Sequence, residues 1–222
     1  LISETEDLLE TRYISEYPEQ YAELLFLLGG NLGVLSGNML FAEKWINAAL
    51  AHAQEGQRID FILRNIRKLA DIYTYYGKVQ DAISMITRYL TADSQIEKRY
   101  EIYLLASLGE AYRKDGNFEL AQKCFEIVGN KSQERNLSGW IGHSKLALAI
   151  IAYHKGFIED AKKMLKDVIK RYSSIHHIWG EVNAKTLLMA CESKVGEATV
   201  NITGLKTQAE WMGYSYNVSI IN

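Results

Sequence analysis

The residues able to do chemistry are few and scattered. Two cysteines, Cys124 and Cys191, lie 67 residues apart, with no C-x-x-C pair and no Cys/His ligand spacing. A structural metal site draws its ligands as closely spaced pairs, and a catalytic thiol needs a base beside it. Both cysteines therefore read as buried, reduced thiols. Five histidines occur, His52, His143, His154, His176 and His177, and none stands in an H-E-x-x-H pattern. The pair His176-His177 reads as a solvated turn before a helix, because adjacent imidazoles do not converge on one ion without further ligands. The stretch GGNLG at 29–33 lacks the G-x-G-x-x-G order, a preceding strand and a following Lys-Ser or Lys-Thr. It is not a phosphate cradle and reads as close helix packing. No catalytic residue, metal ligand or cofactor is assigned, and the chain is not expected to be an enzyme.

Composition narrows the class further. The chain has 222 residues, of which 48% are hydrophobic and 23% charged, enough apolar surface for a sizeable core and too much for disorder. With 25 basic and 27 acidic side chains it lacks the basic footprint of a nucleic-acid binder. The most apolar run, Leu24 to Leu35, is 12 residues long, short of the roughly 20 that span a bilayer, so no membrane insertion is expected. The single proline, Pro18, leaves room for long uninterrupted helices. Sequons at Asn136, Asn201 and Asn217 are short chance patterns without a signal peptide beside them, and a cytoplasmic location is expected. A start at Leu1 rather than Met reads as a fragment of a longer protein.

The elements that would position any site repeat along the chain. Glycines fall at Gly37, Gly77, Gly116, Gly156 and Gly196, at intervals of 40, 39, 40 and 40. Each separates two stretches of helical period, and each suits a helix-ending turn. Seven residues before the turn stand Gly30, Ala70, Gly109, Ala149 and Met189. Five residues after it come Ala42, Ala82, Ala121, Ala161 and then Asn201; nine after it come Ile46, Ile86, Phe125, Leu165 and Leu205. Two antiparallel helices crossing closely need small side chains at the crossing and larger apolar ones beyond it. The spacing predicts helices over 2–14, 18–36, 39–55, 58–76, 79–91, 95–115, 118–129, 134–155, 158–172, 175–194 and 197–212, with an extended tail at 213–222.

The segment LASLGEAYRKDGNFELAQKCF, residues 105–125, resembles the tetratricopeptide repeat signature L-G-x-x-Y-x-x-x-G-x-F-x-x-A-x-x-x-F, and KLADIYTYYGKVQDAISMI, residues 68–86, is a second copy with Ala70 for the glycine and Val79 for the aromatic. The period of 40 exceeds the usual value of about 34 and is similar to the extended repeats of bacterial signalling ATPases and transcription activators. The resemblance implies an all-α, right-handed superhelical solenoid of antiparallel helix pairs forming one domain over 1–222. Its repeats would run over about 18–57, 58–94, 95–133, 134–174 and 175–212, with 1–16 as the helix of a preceding repeat.

In such an array the first helix of each pair lines a groove, at positions thirteen, ten, six, three and two before the turn glycine. The resemblance thereby implies groove residues Asn31, Arg64, Arg67, Asp71, Tyr75, Tyr103, Glu110, Arg113, His143, Tyr153 and Asn183, with Trp140 at the rim. The carboxylate clamp of chaperone-binding members is not carried over, since Leu27 fills the lysine place beside Asn31, and Tyr103 and Ser107 fill the last pair. The expected function is a protein- or peptide-binding scaffold within a larger regulatory protein. The alternative is a ligand- or protein-sensing segment of a signalling ATPase or transcription regulator that relieves autoinhibition. A protein or peptide is the expected partner, and the oligomeric state is left open.

Overall fold

Helix-ending turns fall between the repeat glycines as well as at them. The computed structural model describes residues 18–27, 38–92 and 98–195. The described helices are α1 (Pro18–Leu24), α2 (Met39–Glu55), α3 (Ile59–Tyr75), α4 (Val79–Ala92), α5 (Lys98–Lys114), α6 (Phe118–Gln133), α7 (Ser138–His154), α8 (Ile158–Ser174) and α9 (Ile178–Val195). Gly77, Gly116 and Gly156 end α3, α5 and α7 with φ of 79°, 80° and 86°. The turns after α2, α6 and α8 do the same with residues that carry a Cβ: Gln57, Asn136 and His176, at φ of 53°, 55° and 53°. One hydrogen bond closes both kinds. The residue after the left-handed one donates its N–H to the carbonyl five back, Asn117 to Tyr112 at 2.9 Å and Leu137 to Ser132 at 2.9 Å.

The fold is all-α, built of antiparallel helix pairs, and no strand occurs among the described residues. The predicted helices over 2–14 and 197–212 and the tail lie outside the described residues. At the turns after α6 and α8, which lack glycine, the observed boundaries move by two to four residues from those the spacing predicts, while at the Gln57 turn after α2 they agree to within one residue. Thus α6 runs to Gln133, α7 begins at Ser138 and α9 at Ile178.

Contacts divide the chain into two units, 1–117 and 118–222. In the first unit α2 packs on α3, α3 on α4 and α4 on α5, α1 packs on α2, and α3 also packs on α5. The frame alanines Ala42 and Ala82 and the frame isoleucines Ile46 and Ile86 have no exposed surface. Ile46 and Ala42 of α2 meet Leu69 and Ile72 of α3, with Met85 of α4 packed against them. Tyr21 and Leu25 meet Phe41, Trp45 and Ala49, while Phe61 closes on Ala22 and Ala53.

The second unit repeats the scheme with α6 to α9, and α7 also touches α9. Ala121, Phe125, Ala161 and Leu165 are fully buried at the same frame positions. The core joins Leu146 and Ala149 of α7, Leu165, Val168 and Tyr172 of α8, and Ala184, Leu187 and Cys191 of α9. The Tyr172 ring fills the space between two helical glycines. A Cβ at Gly180 would come within 2.5 Å of its Cζ, and one at Gly142 within 2.6 Å of its Cε1. His177 stacks on the same ring, with centroids 4.8 Å apart. Its Nδ1 accepts the Gly180 N–H at 3.0 Å, so this histidine caps α9.

Candidate functional site

In the first unit α3 is polar on one stripe. Its sequence IDFILRNIRKLADIYTY buries Phe61, Leu63, Ile66, Leu69, Ala70 and Ile72 and turns Arg64, Arg67, Lys68 and Asp71 the other way. The cationic positions 64, 67 and 68 follow the i, i+3, i+4 rule, so the three heads share one helical face. Phe26 and the α5 residues Tyr100 and Tyr103 wall this face on either side. A cleft of about 590 Å³ results, lined by Phe26, Asp60, Leu63, Arg64, Arg67, Lys68, Asp71, Tyr100 and Tyr103. That volume is in the range of ligand sites.

Each cation has a defined setting. The Arg64 Nη1 donates to Glu23 Oε1 at 3.1 Å, and its guanidinium lies over the Phe26 ring at 4.8 Å and the Phe61 ring at 5.3 Å. Arg67 sits over the Tyr103 ring at 5.6 Å and pairs its Nε with Asp71 Oδ2 at 3.7 Å. Such stacking orients the planar fork and covers the cation's apolar faces. The other Asp71 oxygen, Oδ1, accepts the Ser107 hydroxyl at 2.6 Å. Asp60 pairs with Arg58 at 3.7 Å. Burial pushes the Lys68 ammonium below its ordinary range, Asp71 pulls it back up, and Arg67 pushes it down again. Tyr103 meets Tyr100 edge to face at 6.0 Å.

The residues expected to line a groove are thus divided. Arg64, Arg67, Asp71 and Tyr103 converge on the cleft. Tyr75 lies one turn beyond Asp71, exposed and edge to face with Tyr76 at 6.1 Å. Glu110 and Arg113 are joined to each other on α5, with Arg113 Nε and Nη2 both donating to Glu110 Oε2 at 2.9 and 2.6 Å. In the second unit Trp140 and His143 meet edge to face at 5.2 Å, His143 also faces Phe125 at 6.1 Å, and Tyr153 meets His154 at 5.7 Å. Asn183 is half-buried on α9. Asn31 lies outside the described residues, as does the GGNLG stretch. Spacing alone missed Phe26, Asp60, Leu63, Lys68 and Tyr100. Two of them carried a usable signal: Lys68 stands four residues after Arg64, and Tyr100 three before Tyr103.

No cysteine or histidine is among the residues that line the cleft. Cys124 and Cys191 are buried and unbridged, and burial raises the Cys124 thiol to about 11, which keeps it protonated and inert. His176 and His177 are exposed in the turn before α9. Among the described residues no cluster of His, Cys, Asp and Glu could hold a metal ion, and no helix is long and apolar enough to cross a membrane.

Solved structures of similar fold are helical repeat proteins. BtubC (BKLC) from P. vanneervenii matches with a TM-score of 0.67 at 16% identity, over 99% of this chain and 86% of that one. A putative kinesin light chain of Podosopora anserina with nearly identical TPR-like repeats matches with a TM-score of 0.55 at 18% identity, over 95% of this chain and 97% of that one. A single-substitution form of that protein matches with a TM-score of 0.58 at 17% identity and the same coverage. At such identity the likeness speaks for fold alone. No protein-family model and no curated protein matches the sequence.

Proposed function

We propose that this chain, whose fold is of the tetratricopeptide type, is a scaffold that recognises a segment of another protein in the cleft of its first unit. The observation that carries the reading is the convergence of Arg64, Arg67, Asp71 and Tyr103 with Tyr100 and Phe26 around one open volume. Arginine and aromatic side chains are the residue types that anchor protein interfaces. The arginines sit on α3, whose backbone is held from behind by Leu69 and Ile72 against Ile46. A rigid support lowers the ordering cost of binding. The work asked of the cleft is recognition, with no bond made or broken.

The position of the ligand tests this. A photo-crosslinking phenylalanine analogue placed at Tyr103, and in a second protein at the exposed Lys166 of α8, is irradiated with peptides selected from a displayed random library. Adducts at 103 and none at 166 are expected. Selected peptides that cross-link at neither position, or equally at both, would remove the cleft from consideration.

A further inference from the structure

We infer that the cleft receives acidic side chains of an extended peptide, a ligand carboxylate replacing Asp71 as the partner of Arg67. This rests on the reading of the cleft as a protein-binding site and adds the chemistry of what it selects. The inventory of charge comes first. The lining carries three cations, Arg64, Arg67 and Lys68, against two carboxylates, Asp60 and Asp71. Asp60 pairs with Arg58 and Arg64 with Glu23, and neither of these partners is part of the lining. Asp71 is therefore the lining carboxylate placed between two lining cations, since it lies 3.7 Å from the Arg67 Nε and also acts on Lys68. Part of its capacity goes to the Ser107 hydroxyl at 2.6 Å.

The distances say which partner is exchangeable. A charge-assisted contact between guanidinium and carboxylate settles near about 2.8 Å when it is made well. The Arg67–Asp71 separation is longer, and both side chains are about 40% exposed, so the pair is of the weak surface kind. Ser107 holds Asp71 from α5 and fixes where its carboxylate can go. A mobile carboxylate on a ligand has no such tether and can meet the guanidinium fork in its plane. That plane is set by Tyr103, as the plane of Arg64 is set by Phe26 and Phe61. The same cleft, through Phe26, Tyr103, Tyr100 and Leu63, offers apolar surface to the ligand residues between the acids. Lys68, half-buried and helped by Asp71 against the cost of its burial, gains from a second carboxylate arriving beside it.

The test is a charge swap. A displayed library of random short peptides is panned on the wild-type chain and on Arg64→Glu/Arg67→Glu. Asp and Glu should be enriched on the wild type, and Lys and Arg on the variant. The best wild-type peptide, resynthesised with each carboxylate replaced by its amide, should bind about tenfold more weakly for the acid that meets Arg67. Asp71→Asn, which keeps an acceptor for Ser107 and removes the competing charge, should tighten the acidic peptide about threefold. Neutral or basic peptides that win on the wild type and still cross-link at position 103 would overturn this inference while leaving the scaffold reading intact. Weaker binding by Asp71→Asn would overturn it too. If the double variant loses its helical circular dichroism, Arg67→Gln takes its place in a double-mutant cycle with the amide peptide, and additive losses count against the pairing.

Discussion

Helices α3 and α7 hold the same place in the repeat, ending at Gly77 and Gly156, yet they put that place to opposite uses. The α3 sequence carries Asp60, Arg64, Arg67, Lys68 and Asp71; the α7 sequence, SGWIGHSKLALAIIAYH, carries one permanent charge, Lys145. One stripe of α3 stays wet, and a cleft opens over it. Helix α7 instead buries Ile141, Gly142, Ser144, Leu146, Ala147, Ala149, Ile151 and Ala152, residues spread around its circumference, and takes the Tyr172 ring against Gly142. The frame fixes where helices meet, and the residues between the frame positions decide whether a first helix presents a site or closes a core.

This contrast can be broken at its closed end most forcefully. Gly180→Ala places a methyl where the buried Tyr172 ring already stands and should cost about 1–3 kcal/mol, with Gly142→Ala slightly milder. Thermal unfolding reads the loss, and pairing either change with Tyr172→Leu should recover part of it. An unchanged Tm for Gly180→Ala would mean that the ring is not held as described. The corresponding prediction at the open end is smaller and of opposite sign. Lys68→Met removes a cation that burial disfavours and should raise Tm by about 2 °C. The sign with pH follows from linkage. Because the folded protein holds the Lys68 proton less tightly than the unfolded chain, wild-type stability should rise as pH climbs through the lowered folded pKa toward the ordinary lysine value. Lys68→Met should flatten that rise, and thermal melts across the alkaline range distinguish the two. The same coupling acts on binding: affinity for an acidic peptide should fall as pH passes the point where Lys68 loses its proton, and a flat profile would place Lys68 outside the contact.

Much of this architecture was legible from the glycines and alanines, because both are dictated by sterics. A left-handed turn favours glycine and a close crossing favours alanine. The frame residues Ala42, Ala82, Ala121 and Ala161 are buried without exception. The turns after α6 and α8 were placed two to four residues early because Asn136 and His176 take the left-handed conformation despite a Cβ, held there by the hydrogen bond five residues back. The site was legible only along single helices. Counting back from a turn glycine finds Arg64, Arg67, Asp71 and Tyr103, which lie on one line down each helix. A cleft has two walls, however, and the second wall comes from how far α5 and the chain after α1 stand from α3. Phe26 and Tyr100 enter for that reason. Glu110 and Arg113 obey the same counting rule and are spent on each other.

The glycine-flanked tyrosine of the second unit has a consequence for how that unit comes apart. In repeat arrays each helix pair usually gains its stability from its immediate neighbours, so fraying can proceed pair by pair from an end. Tyr172 reaches from α8 to both first helices at once, against Gly142 of α7 and Gly180 of α9. Withdrawing the ring from one empties its place against the other. Amide protons in the middle of α7, α8 and α9 should therefore exchange with solvent at a common rate, as one cooperative block.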